Sequence, residues 1–390
     1  MSGSERGNRL LRGLDRYAGI PLAGLTGFLR RHAKPREMRR ARPRICVLCL
    51  GGIGDLLLVS ALTAGIRSQC PQAWLEIVGS ASNAAALPLN PHADSCFHAP
   101  VKRPDRLLRH IRSRSYDLLF DASQWARLGA VLANLSGAGL TAGFRTAGQY
   151  RACGYDLTAE HSAQAHELEN FLALGRSVWP ELAGEPGLRL LSATPKKSGL
   201  VYLHFWPATG PGRLLKEWPQ EYWRELAAIL VERGYGVRLT GSLADAPACA
   251  AFKAAFFPQT EAVQSCAGLC GLADLAAAFA NAAAVISVNT GIMHLAALAG
   301  APLIALHGAT NPARWGPVGK NAISLLPRSG DCAYLNLGYE YPPHVEPAMR
   351  NLPVEDVVAA LDRLIGPAYR AGLSPSAAVI SASQASLPST

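Results

Sequence analysis

Charged and aromatic side chains are both scarce in this sequence, at 17% and 7% of 390 residues. With 49% hydrophobic residues, the composition is that of a packed globular chain, not of one disordered along its length. Long apolar runs are missing too. The most apolar stretch, 282–309, is interrupted by Asn289, Thr290, His294 and several glycines, so no membrane-spanning helix is expected. No compact apolar segment with a cleavage site opens the chain, and no secretory signal is expected. The nine cysteines are odd in number and have no zinc-ligand spacing. Cys46 and Cys49 do form a CxxC, but inside the apolar run RICVLCL, which reads as a buried strand and not as a redox or metal site, and Cys266 and Cys270 read as core. Scattered free thiols suit a reducing cytoplasm. Two motifs are absent: GxGxxG, the fingerprint of dinucleotide binding, and DxD, an acidic pair suited to holding a metal.

What charge there is lies unevenly. The net charge is +10, yet up to Arg44 twelve Lys or Arg face only Glu5, Asp15 and Glu37. The remainder is near neutral, which argues against a nucleic-acid binder. Residues 1–43 therefore read as a basic arm. Leu10, Leu11, Leu14 and Tyr17 share one helical face, and RRHAKPREMRRARPR follows IPLAGLTGFL. Such an arm fits the anionic inner leaflet of a membrane, or else a helix docked on the body with a solvated basic linker.

At 390 residues, more than one hydrophobic core is expected. RICVLCL (44–50) reads as a doubly covered parallel strand. A helical pattern over 56–69 and the strands WLEIVGS, DSCFHAP, YDLLFDAS and GLTAGF follow it. A helix is expected over 161–178, then a break at 180–198. The pattern restarts at GLVYLHF (199–205), with a helix from Pro219, the strand GVRLTGS, the helix LADLAAAFANA, and the strands AVISVN and PLIALHG around the helix IMHLAALAG. Alternating strands and helices predict an α/β chain with two Rossmann-like domains facing across a cleft. The expected units are 44–180 for acceptor, 199–350 for nucleotide sugar, a C-terminal helix at 351–366 and a disordered tail at 367–390. Ligands of such sheets bind past the carboxyl ends of strands, which is where chemistry is sought.

Three segments stand there. Gly51, Gly52 and Gly54 form a tight loop after the first strand, and Asp55 opens the next helix. Its carboxylate suits either a helix cap or a general base for a hydroxyl nucleophile. Lys216, in KEWP, follows a long loop containing Thr209. An ammonium beside backbone amides suits a diphosphate. In SVNTGIMH a strand ends at a polar pair, Asn289 and Thr290, and a helix starts at Gly291. The amides of Thr290, Gly291 and Ile292 are expected to point into the cleft as an anion site. His294, one turn on, is either a core histidine or a donor contact, and GATNPARWGPVG is a candidate to close over the same place. On the acceptor side, Arg103, Arg106, Arg109 and Arg112 fan over one half of a helix, either as a ridge for acidic groups or as a solvated face. Arg145 is a further candidate.

Taken in order, GGIGD, KEWP, VNTGIMHLAALAGAP and HGATNPARWGP resemble glycosyltransferase family 9, the ADP-heptose:lipopolysaccharide heptosyltransferases, over about residues 44–365. The resemblance implies the GT-B fold, Asp55 as catalytic base, Lys216 on the donor phosphate and sugar, and Thr290 and Gly291 at the diphosphate. By looser alignment it puts 269–271, including Cys270, at the adenine and Asp245 near the ribose. It implies no cofactor, a nucleotide-sugar donor such as ADP-heptose and an anionic glycolipid acceptor; the free thiols and the basic arm add the expectation of a cytoplasmic enzyme peripheral to the inner membrane. The family's usual Asp is replaced here by Asn289, which cannot offset the charge of Lys216. The expected reaction is a metal-independent inverting transfer. The alternatives are transfer from another nucleotide sugar, a different Rossmann enzyme, or a non-catalytic binding protein.

Overall fold

The computed structural model describes residues 9–32, 41–124, 126–190, 198–205, 214–336 and 346–365. Thr209, most of the 205–216 loop and the 367–390 tail lie outside these residues. Two arm helices come first, α1 (Arg9–Tyr17) and α2 (Gly19–Arg31). The first sheet then follows through β1 (Arg44–Cys49), α3 (Ile53–Gln69), β2 (Trp74–Ser80), β3 (Ser95–Ala99), α4 (Pro104–Arg114), β4 (Leu118–Asp121), α5 (Arg127–Leu135), β5 (Leu140–Arg145), β6 (Leu157–Glu160) and α6 (Glu167–Arg176).

The second sheet is built from β7 (Leu200–His204), α7 (Gln220–Glu232), β8 (Gly236–Thr240), α8 (Ala246–Phe256), β9 (Val263–Ser265), α9 (Leu272–Ala280), β10 (Ala284–Val288), α10 (Gly291–Leu298), β11 (Leu303–Leu306), α11 (Pro312–Trp315), β12 (Ala322–Leu325) and α12 (Val354–Ile365). The fold is α/β with two doubly wound sheets.

The strand orders are β3-β2-β1-β4-β5-β6 and β12-β11-β10-β7-β8-β9. Read from its own first strand, the second sheet repeats the order of the first. All pairings between these strands are parallel, with Ile45 beside Leu118 and Ile286 beside Leu203. Parallel strands covered on both faces need apolar side chains on both, and the interiors of β1 and β10 are fully buried. Each sheet reverses its winding once, between β1 and β4 and between β7 and β10. A crevice opens past the strand ends at such a point. The loops after these four strands carry the residues of interest.

Several elements differ from the sequence reading. The helix expected over 161–178 is α6 alone, with β6 just before it. The short strands β9 and β12 and the Ala-rich α8 were not anticipated. Pro219 is the residue before α7, and Gln220 is its first helical residue. Cys46 and Cys49 are buried free thiols. One apolar cluster runs from α3 of the first unit into α10 of the second, including Leu56, Leu57, Met293 and Leu295. Among the described residues, no helix is long and apolar enough to cross a membrane.

Candidate active site

The chain leaves β1 at Cys49, turns at Gly51 and Gly52, and enters α3, with Asp55 in the first helical turn. A Cβ on Gly51 would lie 2.4 Å from Asp55 Oδ2, so only glycine leaves the carboxylate room. The Gly52 amide donates to Asp55 Oδ2 at 2.6 Å. From the neighbouring β4 loop, Gln124 Nε2 donates to Oδ1 at 3.2 Å. Asn83 steadies the same turn, its Nδ2 donating to the carbonyls of Cys49 and Gly51. Asp55 therefore caps its own helix and is also held by a side chain from across the switch point. Sequence reading missed Gln124. Its only signal was a polar residue directly after the strand YDLLFDAS.

The turn after β10 meets this loop. A Cβ on Gly291 would fall 2.8 Å from Ile53 Cβ and 3.0 Å from the Gly54 nitrogen, and one on Gly54 would fall 2.9 Å from His294 Cδ2. Glycines at both positions let the two halves touch. The anion-site expectation needs correcting at one amide. Thr290 is extended (φ −146°, ψ 178°) and its Oγ1 accepts from the Ile292 amide at 3.2 Å. The threonine caps α10 itself, and that amide is already engaged. His294 faces the first unit and is 5% exposed. Among the described residues its Nδ1 has no hydrogen-bond partner. Burial, reinforced by His166 and opposed by Asp55, pulls its pKa down to about 4, so it is neutral at pH 7.

Asn289 is not turned towards open space. Its Nδ2 donates to the Trp315 carbonyl at 3.0 Å and lies 3.3 Å from His307 Nδ1. The 308–319 segment thus closes over Asn289. His307 is fully buried, and burial first, then His294 and Lys216, lowers its pKa to about 3. The Ala309 amide donates to the Leu215 carbonyl at 3.4 Å, which sets the backbone just before Lys216 against the loop after β11. The Lys216 loop is anchored by Trp218, whose indole is buried, stacks edge-on to Trp223 and donates to the Leu352 carbonyl at 2.8 Å. The loops of Asp55 and of Thr290, Gly291 and His294 thus meet, one from each switch point, and Lys216 follows the other strand of the second one.

Other candidates sit elsewhere. Asp245 follows β8 and accepts from the Ser242 amide and hydroxyl at 2.8 and 2.6 Å, which closes a local turn. Cys270 follows β9, an outer strand; burial and then Asp274 raise its thiol pKa. The four arginines read on the acceptor-side helix lie at the surface, and two of them are paired. Arg103 Nε and Arg109 Nη2 converge on Asp105, at 2.9 and 2.7 Å, and these bonds hold the Asp105 carboxyl far below its ordinary value. Asp105, four residues before Arg109, competes for the charge an acceptor would meet. Arg106 is exposed. Arg145 is tied to Glu160 at 3.1 Å and to Thr158 at 2.9 Å.

A second junction between the units was not foreseen. Arg314, on α11, is fully buried. Its Nη2 lies 2.5 Å from Glu167 Oε2, its Nη1 donates to the Ala165 carbonyl at 2.8 Å, and its Nε donates to the Asn336 carbonyl at 3.0 Å. Glu167 also accepts from Asn170 and bonds His161 at 3.0 Å. His166 Nδ1 accepts from the Leu168 amide, so its Nε2 donates to the Gly316 carbonyl at 3.0 Å.

Comparison with known proteins agrees with this architecture. The sequence profile of glycosyltransferase family 9 (heptosyltransferase) matches residues 105–333. Lipopolysaccharide heptosyltransferase 1 of Pseudomonas aeruginosa is 37% identical over 150 residues, which cover 37% of this chain and 39% of that protein. The chain thus aligns with well under half of that relative's length. Lipopolysaccharide heptosyltransferase 2 of Escherichia coli K12 is 25% identical over 297 residues, 69% of this chain and 84% of the other. Among solved structures, the E. coli ADP-heptose lipopolysaccharide heptosyltransferase II superposes with a TM-score of 0.67 at 20% identity, covering 83% of this chain and 98% of that one. The GT-B arrangement of two Rossmann-like units is shared.

Proposed function

Because the chain belongs to glycosyltransferase family 9, the heptosyltransferase family, we propose that it moves heptose from ADP-heptose to a lipopolysaccharide-core type of acceptor on the cytoplasmic side of the membrane. One observation carries the reading. The acid from the first switch point, Asp55, and the polar turn from the second are brought together where Gly54 meets Gly291 and His294.

The acceptor hydroxyl attacks the anomeric carbon from the side opposite the leaving diphosphate. A new carbon–oxygen bond forms as the bond from that carbon to the phosphate oxygen breaks, so configuration inverts. Asp55 takes the hydroxyl proton, and ADP departs with the electron pair. Fixed groups aimed at developing charge are often the largest catalytic contribution. Here they are the Lys216 ammonium and the amides of Thr290 and Gly291. Gln124 holds one oxygen of Asp55 and leaves the base a defined orientation. His294, neutral and wedged against Gly54, positions the turn. With these positive groups in place, turnover is expected to persist in EDTA.

The test is transfer from ADP-heptose by purified protein. Asp55→Asn and Asp55→Ala should each lose at least about a hundredfold in rate while donor binding persists. Near-normal rates in either variant reject Asp55 as the base. Stabilisation by a UDP- or GDP-sugar but not by ADP-heptose would reassign the donor. Asn289, at a position where the family usually has Asp, spends its amide on Trp315. That favours a second reading, a binding protein without turnover, which any transfer above background removes.

A further inference from the structure

The arm helices present their apolar side chains the wrong way round for a docked helix. On α2, Gly19, Ala23, Thr26 and Gly27 are buried. A Cβ on Gly27 would lie 2.9 Å from the Gly154 nitrogen, so the small residues allow backbone-close docking. The large residues point out. Leu14 is 54% exposed, Tyr17 78%, Leu22 47%, Leu25 57%, Phe28 59% and Leu29 55%. Half of the exposed large hydrophobics among the described residues lie on these two helices. At about 100° per residue, the four on α2 span an arc of roughly 120° opposite the buried residues. An ordinary docked helix buries its large side chains and exposes polar ones. A contiguous apolar face on a fixed helix marks a binding surface.

Charge identifies the occupant. Arg16 and Arg31 are exposed at the ends of the face. In sequence, Lys34, Arg36, Arg39 and Arg40 follow it. A second copy would bring like charge against like, whereas an anionic bilayer offers apolar depth and negative charge together. The docking is specific. Asp15 accepts from the Arg127 amide at 2.7 Å and pairs with its guanidinium at 2.8 Å. Arg30 pairs with Asp156 at 2.5 Å and donates to the Ala138 carbonyl. Arg127 opens α5, three residues after Gln124, which holds Asp55.

We propose that the outward face of α1 and α2 lies in the surface of an anionic bilayer and seats the acceptor-side unit against it, with α5 as the rigid link to the Asp55 loop. The binding itself is independent of the transferase reading; only its benefit, delivery of a membrane-borne acceptor, rests on it.

The test is flotation of the full chain with phosphatidylcholine vesicles, with and without phosphatidylglycerol. The protein should float with the anionic vesicles and far less with neutral ones. The triple variant Leu25→Ser, Phe28→Ser, Leu29→Ser should lose flotation by at least about tenfold, with unchanged circular dichroism and unchanged transfer to a soluble acceptor fragment. Arg16→Glu with Arg31→Glu should weaken the preference for anionic lipid, and an unchanged preference would count against the role given to charge. Failure of the wild type to float, or flotation of the triple variant at the wild-type level, overturns the proposal. So does a wild-type dimer that the triple variant dissociates, with no flotation, because the face then belongs to a second copy. Flotation needs no catalysis, so failure of the transferase reading would leave it standing, and the reverse holds too.

Discussion

Two buried imidazoles at the junction make folding stability depend on pH. His294 and His307 have pKa values near 4 and 3 against an ordinary 6.5. The unfolded chain therefore binds protons that the folded chain refuses. Their contribution is intact above about pH 6.5 and is lost as pH falls through the interval down to the folded values. Thermal unfolding of the wild type should show Tm dropping over that interval. A variant carrying His294→Asn and His307→Asn should show a shallower drop, and parallel curves would refute the assignment. Asn289 offers a second check. Its amide group donates to the Trp315 carbonyl, and a carboxylate there would set acceptor against acceptor. Asn289→Asp is expected to destabilise the protein by about 1–3 kcal/mol at neutral pH, measured by urea unfolding. No loss would mean that the carboxylate finds another partner. For Gln124, which touches the base but no reacting atom, Gln124→Ala should lower kcat and leave donor affinity unchanged.

Among the elements, the α6–α11 junction holds a fully buried ion pair. Glu167 and Arg314 are both fully buried, and breaking such a pair from one side leaves an uncompensated charge, a loss of about 3–5 kcal/mol. Glu167→Gln should show that loss in chemical unfolding, and Glu167→Leu combined with Arg314→Met should recover part of it. None of this was legible in the sequence, because a buried ion pair separated by 147 positions looks like two ordinary surface charges. Most of the strands that could be read, β1, β2, β4, β5, β7, β10 and β11, are apolar runs covered on both faces, while β3 and β8 were read from their flanking turns despite mixed burial. The ones that could not, β6, β9 and β12, are three or four residues long at or near sheet edges, and their burial is mixed. Much the same holds for the site. Asp55 and the 289–291 turn could be found because each follows a readable strand. Gln124 and the Asp105 competition for Arg103 and Arg109 depend on contacts that no periodicity records.

At the scale of the whole molecule, the reading makes turnover a property of fixed groups, so EDTA treatment should leave the rate within about twofold of untreated protein, whereas a metal acting as Lewis acid would supply several kcal/mol. A large drop that added metal restores would overturn that part of the proposal. The repeated strand order gives two crevices whose mouths face each other, and the contact of Gly54 with Gly291 shows how near they come. Jaws that close on bare backbone have no slack: on the proposed transferase reading, a sugar nucleotide entering between them would have to part the units against the Glu167–Arg314 pair. That reading expects a domain-opening step in each cycle. Thickening the solvent with sucrose should slow kcat in proportion, and Gly291→Ala, whose methyl would wedge against Ile53, should leave the enzyme unable to shut.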